Sequence, residues 1–393
     1  MELEDKYGAH NYKPIPVVIS KAEGIRVEDP EGKKYVDMLS AYSAHNQGHR
    51  HPKIVKAAID QIEKLTLTSR AFYNDMLGVF LKKVCETTGK SMALPMNTGA
   101  EAVETAIKTA RKWGYMIKGV EKDKAEIICF SENFHGRTTT IVGFSTDPIA
   151  YENYGPFTPG FHVVEYGDLK AVEEKINKNT VAVLVEPIQG EAGIKIPPKG
   201  FLKGLRRLCT DNNVLFIADE IQTGLGRTGK LFCCEWEEIE PDIYTLGKAL
   251  GGGIYPVSCV AADEEILKVF EPGTHGSTFG GNPVGAAVAI ASIDVIIDEK
   301  LADNANEVGE YFMKKLEEMN SPYVKEIRGR GLLIGVEVHA DSKKDAKQIC
   351  YEMKDRGVLA KPTHDTIIRF APPLVITKKE IDDVIEKIKP VFS

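Results

Sequence analysis

The sequence has 393 residues, seven cysteines and a formal net charge of −7 at pH 7, and this length predicts about two domains with sizeable cores. An acidic balance without basic runs argues against nucleic acid or an anionic membrane as a partner, and the apolar runs are far shorter than the roughly 20 residues of a membrane span. Because Met1–Asp5 is unlike a signal peptide and the cysteines show no CxxC spacing, we expect a cytoplasmic protein with reduced thiols.

Short strand-like pieces and turns precede the first predicted helix, which covers Pro52 to Leu65. Apolar residues recur there with helical spacing. The stretch His45–His51 just before it contains three histidines. Gly48 and Pro52 argue against a helical pair of metal ligands, and no cysteine or carboxylate joins the histidines. We therefore predict a turn there and no metal site.

A second helix is predicted from Ala102 to Ile117. The residues before it, Thr98 and Gly99, suit a helix start whose free backbone amides bind an anion. The same residues are also typical of an ordinary helix cap. The sequence alone therefore leaves both interpretations open.

Short apolar strands alternate with helices between residues 126 and 246. This alternation predicts a mostly parallel sheet with crossover helices on both faces. The strands are predicted at Ile127–Phe130, Val181–Val185, Val214–Ala218 and Asp242–Leu246, and one of the helices at Leu202–Thr210.

Two of these strands are followed by residues that suit covalent chemistry. Asp219 follows one strand and Lys248 follows the next, and ligands of parallel sheets bind outside the carboxyl ends of the strands. The commonest covalent role of lysine is imine formation with a carbonyl. Pyridoxal phosphate uses such a bond and requires an acidic partner for its ring nitrogen. Either residue alone is more simply a solvated surface group, but the pair indicates a pyridoxal phosphate site.

The segment between Asp219 and Lys248 contains two patterns found in nucleotide-binding proteins. Gly224–Gly229 has the spacing GxGxxG, and Gly224–Lys230 has the spacing GxxxxGK. The first is not followed by a helical pattern, and in the second Leu231 replaces the serine or threonine that binds magnesium. We interpret both as loop glycines. A nucleotide-binding protein is the alternative from a different functional class.

The pattern changes after Pro283, where one apolar helix, Val284–Ile297, could join two domains. The elements that follow predict a small α+β domain. Arg369 is the one charge inside an apolar strand of this domain, so we expect it to have a partner or to bind a substrate carboxylate. We predict an N-terminal segment 1–43 that packs with the small domain, a large domain 44–289 and a small domain 290–393.

Long motifs along nearly the whole chain carry a family resemblance. They are KYGAHNY, LTLTSRAFYN, PMNTGAEA, VEPIQGEAG, LFIADEIQTGLGRTG, LGKAL and HGSTFGGNP. In these motifs the chain resembles the class III, fold-type I aminotransferases, and among them the ornithine aminotransferases. The resemblance implies pyridoxal 5'-phosphate as the cofactor, a homodimer, and an α/β large domain with a small α+β C-terminal domain.

The resemblance also implies which residues bind the cofactor. Lys248 would bond to it and shuttle the substrate proton, and Asp219 would pair with its ring nitrogen. Thr278 would reach the phosphate in the neighbouring subunit. His135 stands where some relatives carry tryptophan, which leaves its contact open. The further cofactor contacts are ascribed to Gly99, Ala100, Phe134, His135, Glu186, Ile221, Gln222 and Ser277.

The substrates implied are L-ornithine and 2-oxoglutarate. Tyr12 and Arg137 would hold the carboxylate end of ornithine, and Tyr42 would close the pocket around its methylenes. Arg369 would bind the second carboxylate of 2-oxoglutarate, and Glu191 would neutralise Arg369 when ornithine is bound. Acetylornithine and 4-aminobutyrate aminotransferases are the nearest alternatives. In the acetylornithine enzymes the position of Tyr42 is typically glycine, which leaves room for an acylated amine.

Overall fold

The computed structural model describes all 393 residues. The strands are β1 Lys21–Glu23, β2 Arg26–Glu28, β3 Lys34–Asp37, β4 Met92–Met96, β5 Glu126–Phe130, β6 Phe161–Val164, β7 Thr180–Val185, β8 Leu215–Asp219, β9 Ile243–Leu246, β10 Ser258–Ala262, β11 Val324–Arg330, β12 Leu333–Val338, β13 Val358–Leu359, β14 Lys361–Thr363 and β15 Ile367–Phe370. The helices are α1 Glu2–Tyr7, α2 Ser40–Ser43, α3 Pro52–Lys64, α4 Leu77–Thr88, α5 Gly99–Trp113, α6 Thr139–Val142, α7 Pro148–Tyr151, α8 Leu169–Lys175, α9 Phe201–Asp211, α10 Glu264–Leu267, α11 Pro283–Asp298, α12 Leu301–Glu318, α13 Ala346–Asp355 and α14 Lys378–Ile388.

The central sheet has seven strands in the order β4-β10-β9-β8-β7-β5-β6. Only β10 runs antiparallel to its neighbours, so the predicted mostly parallel sheet is confirmed. Alternate residues of β8 enter two different cores: Leu215 and Ile217 pack with α5, whereas Phe216 and Ala218 pack with α9. The sheet is therefore covered on both faces, as parallel sheets generally are.

Two smaller four-stranded sheets involve the ends of the chain. One has the order β1-β2-β3-β13 and the other the order β11-β12-β15-β14. Strand β3 pairs in parallel with β13, which joins the first 43 residues to the C-terminal part. Helix α11 packs against α3, α4 and α12, between the central sheet and the C-terminal elements. The division into residues 1–43, 44–289 and 290–393 stays a prediction.

Most predicted helices occur within a few residues of the expected bounds, but the helix predicted at Ala102–Ile117 differs at both ends. It begins at Gly99, is α-helical as far as Trp113, and continues as a π-helical turn from Gly114 to Lys118. Its start is fixed by a capping box, in which the Thr98 hydroxyl accepts from the Glu101 amide and the Glu101 carboxylate accepts from the Thr98 amide. Thr98 is thus a helix cap, and this role leaves the first amides of α5 available to an anion.

The remaining motifs have structural roles. In the histidine-rich stretch, His49 lies 2.8 Å from the Asp37 carboxylate and stacks on His45 with the ring centroids 4.1 Å apart. The seven cysteines form no disulfide, and all except Cys85 are buried. None of the helices combines the length and the apolar character needed to span a membrane.

Candidate active site

Asp219 lies at the carboxyl end of β8, where its buried carboxylate accepts three hydrogen bonds. The donors are the Ile221 amide at 3.2 Å, the Thr245 hydroxyl at 3.1 Å and His135 Nδ1 at 2.7 Å. Thr245 reaches Asp219 because the register of β8 and β9 places the two residues opposite each other. These donors stabilise a negative charge at one fixed position, which suits an acid that must pair with a cationic ring nitrogen.

Lys248 follows β9 and begins a short 3₁₀ turn, with a left-handed φ of +45°. Backbone strain of this kind is common at functional sites, where the surrounding structure enforces it. Burial lowers the pKa of Lys248 to about 8, although the negative charge of Glu191 acts in the opposite direction. A lysine with a lowered pKa is more often neutral near physiological pH, and only the neutral amine attacks a carbonyl.

His135 and Glu186 lie behind Asp219 and are both buried. Burial alone would lower the pKa of His135, but the hydrogen bond and the charge of Asp219 raise it overall. Burial raises the pKa of Glu186 to about 7, and its carboxyl oxygens accept from the amides of Phe134 and Gly190. A histidine with a raised pKa thus lies within hydrogen-bond distance of the Asp219 carboxylate.

These residues surround one cavity of about 210 Å³. The start of α5 forms one wall, where the amides of Gly99 and Ala100 have no acceptor within the helix. The cavity contains nine of the eleven predicted cofactor residues, and sequence reasoning missed Gly136, Ile188 and Thr223. It is lined by Gly99, Ala100, Phe134, His135, Gly136, Glu186, Ile188, Asp219, Ile221, Gln222, Thr223 and Lys248.

A second cluster of charged residues lies next to Lys248. The guanidinium of Arg369 donates to Glu191 Oε1 at 2.8 Å and to the Thr363 hydroxyl at 3.2 Å. Burial raises the pKa of Glu191, but the charge and the hydrogen bond of Arg369 outweigh this effect and lower it to about 2. The predicted partner of Arg369 is thus present, and Glu191 neutralises it.

The ring of Tyr42 packs on this ion pair, with its centroid 5.5 Å from the guanidinium carbon of Arg369. Tyr42 lies in α2, which is a single left-handed turn: the φ angles of Ser40, Ala41, Tyr42 and Ser43 are +47°, +47°, +60° and +73°. Each such residue costs about 1–2 kcal/mol when it is not glycine. Contacts from the rest of the molecule must therefore hold the turn in place.

Besides Tyr42, Glu191 and Arg369, four predicted site residues lie outside the cavity. Tyr12 is exposed in the N-terminal segment, and Arg137 is exposed with its guanidinium carbon 5.7 Å from the centre of the Phe134 ring. The Ser277 hydroxyl accepts from the Asn97 side chain at 2.9 Å, near the start of α5, whereas Thr278 is exposed. The roles of these four residues stay predictions.

The residues present fit pyridoxal phosphate. Two polar atoms at the cavity, Gln222 Oε1 and His135 Nε2, are buried without a hydrogen-bond partner in the protein. Such atoms are rare in native proteins and are expected where a ligand supplies the partner. The donors at the start of α5 suit a phosphate, Asp219 suits a ring nitrogen, and Lys248 suits an aldehyde.

A lysine and a buried acid at neighbouring strand ends, beside the start of a helix, define the site of a fold-type I pyridoxal-phosphate enzyme. The chain belongs to the class-III aminotransferase family, whose pattern it matches over residues 7–392. The protein is therefore a pyridoxal-phosphate-dependent transaminase, and this membership rules against the nucleotide-binding alternative. In agreement, Gly224–Gly229 is a buried turn.

Individual relatives resemble the chain over its whole length. The ornithine aminotransferase of Geobacillus sp. (strain WCH70) is 59% identical over 393 residues, covering 100% of this chain and 98% of the relative. The structure of the ornithine aminotransferase from Toxoplasma gondii ME49 has a TM-score of 0.98 at 46% identity, covering 100% of this chain and 93% of that chain. The structure of the acetylornithine aminotransferase from Elizabethkingia anophelis has a TM-score of 0.91 at 49% identity, covering 100% of this chain and 97% of that chain. The predicted fold class is confirmed.

Proposed function

We propose that this transaminase transfers the δ-amino group of L-ornithine to 2-oxoglutarate in a ping-pong cycle. The products are glutamate 5-semialdehyde, which cyclises to 1-pyrroline-5-carboxylate, and L-glutamate. The observation that carries the proposal is the packing of Tyr42 on the Glu191–Arg369 ion pair beside Lys248. The 59% identity to a curated ornithine aminotransferase over the full length supports the same substrate.

The cofactor proposed is pyridoxal 5'-phosphate. When bound, it supplies an aldehyde that exchanges for the amino group and a ring that withdraws electrons from the substrate. The amides of Gly99 and Ala100 would hold the phosphate, and the Phe134 ring would stack on the cofactor ring. Gln222 would bond to the phenolic oxygen through its side-chain amide. The other residues proposed to line the cofactor are His135, Glu186, Ile221 and Ser277.

Asp219 would stabilise the positive charge of the ring nitrogen, and Lys248 would transfer the substrate proton. The carboxylate of Asp219 would keep the ring nitrogen protonated, held in place by its three donors. The Nζ atom of Lys248, once free, would take the proton from the substrate carbon that carries the transferred amine and pass it to the cofactor. In the second half-reaction it would deliver a proton to the carbon of 2-oxoglutarate that receives the amine. A base with a pKa of about 8 suits both proton transfers near neutral pH.

Glu191 would allow one pocket to accept two different substrates. Ornithine carries a single carboxylate, so Arg369 needs the Glu191 carboxylate as its partner during that half-reaction. The second carboxylate of 2-oxoglutarate would displace Glu191 and form a bidentate pair with Arg369. The side-chain amide of Gln222 donates to Glu191 Oε1 at 3.4 Å and could keep this bond to the displaced carboxylate.

The proposal also covers the binding of the substrate carboxylate and the assembly of the protein as a homodimer. Tyr12 and Arg137 would bind the carboxylate of ornithine, and both side chains are exposed. Thr278 would contact the phosphate in the partner subunit of a homodimer. Its exposure in the single chain is consistent with this role.

A single half-reaction tests the substrate. Ornithine is added without an amino acceptor to the purified, cofactor-loaded protein, and the absorbance of the cofactor is followed. We expect the aldehyde form to convert to the amine form, and 2-oxoglutarate to reverse the change. Conversion with N-acetylornithine or 4-aminobutyrate, and none with ornithine, would replace the proposed substrate.

A further inference from the structure

Arg227, in the glycine-rich turn after β8, is completely buried, yet all of its hydrogen-bond partners are neutral. Its Nη1 atom donates to the backbone oxygens of Leu332 at 2.8 Å and Pro372 at 2.7 Å. Its Nη2 atom donates to the Ser40 hydroxyl at 3.0 Å and to Asn46 Oδ1 at 2.6 Å. One guanidinium thus connects the turn of Arg227 to three segments that are distant in the sequence: residues 40–46, Leu332 and Pro372.

The burial of this cation is unfavourable. No carboxylate lies within ion-pair distance of Arg227, and burial lowers its pKa to about 9, although the more distant charge of Asp37 acts in the opposite direction. A buried charge without a counter-ion destabilises a protein unless its hydrogen bonds compensate. A neutral side chain would fill the space at lower cost, so the geometry of the guanidinium is the property that Arg227 provides.

The partners of Arg227 are next to the residues proposed to select the substrate. Ser40 begins the left-handed turn that carries Tyr42, and its hydroxyl also donates to the Ala371 backbone oxygen at 2.6 Å. Pro372 and Ala371 directly follow β15, in which Arg369 lies. The guanidinium therefore holds the turn of Tyr42 against the strand of Arg369.

We propose that Arg227 is a positioning residue that sets the separation between Tyr42 and Arg369 and, through it, the choice of substrate. The inference rests on the proposed function, because it concerns how that same pocket distinguishes ornithine from an acylated amine. The two Nη atoms diverge from a rigid plane and each bonds to a different segment. The flexible, single-headed lysine ammonium cannot reproduce this arrangement.

Two substitutions test the proposal. Arg227→Lys keeps the charge but loses the forked geometry, and Ser40→Ala removes only the hydroxyl between Arg227 and Ala371. In each variant we expect the ratio of kcat/KM for ornithine over N-acetylornithine to fall about tenfold, mainly through a higher KM for ornithine. The cofactor absorbance is expected to stay unchanged. Arg206→Lys is the matched control: it alters an arginine that bonds to Asp242 away from the cavity, and it should lower Tm without changing the ratio.

A double-mutant cycle separates positioning from general stability. If Arg227 acts through Tyr42, Arg227→Lys should change the ratio less than about twofold in a Tyr42→Ala background, since coupled residues are not additive. The same change in both backgrounds, or a lower Tm with an unaltered ratio in both Arg227→Lys and Ser40→Ala, would overturn the proposal.

If the unmodified enzyme does not convert ornithine, the proposed function fails by itself. The cycle is then measured with the amine that the enzyme does use, so the two failures stay distinct.

Discussion

At the scale of single residues, Tyr42 is the side chain proposed to limit the size of the substrate. Its ring covers the guanidinium of Arg369 and lies 4.9 Å from Lys361 Nζ. We expect Tyr42→Gly to shift the ratio of kcat/KM from ornithine toward N-acetylornithine by about tenfold or more, because the lost ring opens room for an acyl group. Steady-state kinetics with both amines measures this ratio. Tyr42→Phe keeps the ring and should retain the preference; unchanged selectivity in Tyr42→Gly would contradict the assignment of the pocket.

The pKa of Lys248 predicts how cofactor uptake depends on pH. Uptake requires the neutral amine, so its rate in the cofactor-free protein should rise with pH around a midpoint near 8, well below the usual lysine value of 10.5. Stopped-flow absorbance after addition of pyridoxal phosphate measures this midpoint. In Glu191→Gln the midpoint should move lower still, because the Glu191 charge raises the pKa of Lys248. A midpoint that stays the same in this variant would show that Glu191 does not act on Lys248.

Sequence reasoning at this scale identified residues but not their partners. Asp219 and Lys248 could be predicted because each directly follows an apolar strand. The hydroxyl of Thr245 could not be assigned to Asp219, because that contact depends on the register of β8 and β9. The role of Arg227 could not be predicted for a related reason, because its partners lie more than 100 residues away in the sequence.

At the scale of elements, the change from α-helix to π-helix after Trp113 occurs at Gly114, which packs against Val181 of β7. A Cβ atom on Gly114 would lie 2.2 Å from Cγ1 of the fully buried Val181. We therefore expect Gly114→Ala to lower the free energy of unfolding by about 1–3 kcal/mol through overpacking. Urea denaturation of the single variant, of Val181→Ala and of the double variant tests the contact. The cost should be smaller in the Val181→Ala background, and equal costs in both backgrounds would show that the clash is relieved elsewhere.

The elements differ in how far the sequence determines them. Helices such as α3 and α9 follow from apolar periodicity, which is why their bounds could be predicted. The left-handed turn of α2 could not, because Ser40–Ser43 contains no glycine. The amides of Leu39 and Ser40 donate to the nearby Asp37 carboxylate. The conformation also depends on tertiary bonds, such as the one that Arg227 donates to the Ser40 hydroxyl. A substrate residue on such a turn can be recognised by resemblance, whereas its position becomes clear only in the structure.

At the scale of the whole molecule, the alternation of strands and helices predicts a parallel sheet but not the order of its strands. Strand β10 lies antiparallel between β4 and β9, which are separated by more than 140 residues. Pairing over this distance depends on the packing of both cores and has no local signature. The same limit applies to the dimer, since Thr278 could be placed in a partner's site only by resemblance.

The proposed contribution of Thr278 to the partner subunit predicts the outcome of mixing inactive chains. Lys248→Ala removes the base of a site, and Thr278→Glu places a negative charge against the phosphate, so each homodimer should have little activity. A purified hybrid with one chain of each kind should regain about half the activity of the unmodified dimer, because one site combines Lys248 and Thr278 from different chains. A hybrid of the unmodified chain with a chain that carries both substitutions is the matched control, and it should be inactive since each site is damaged once. An inactive first hybrid together with an active control would place Thr278 in the site of its own chain.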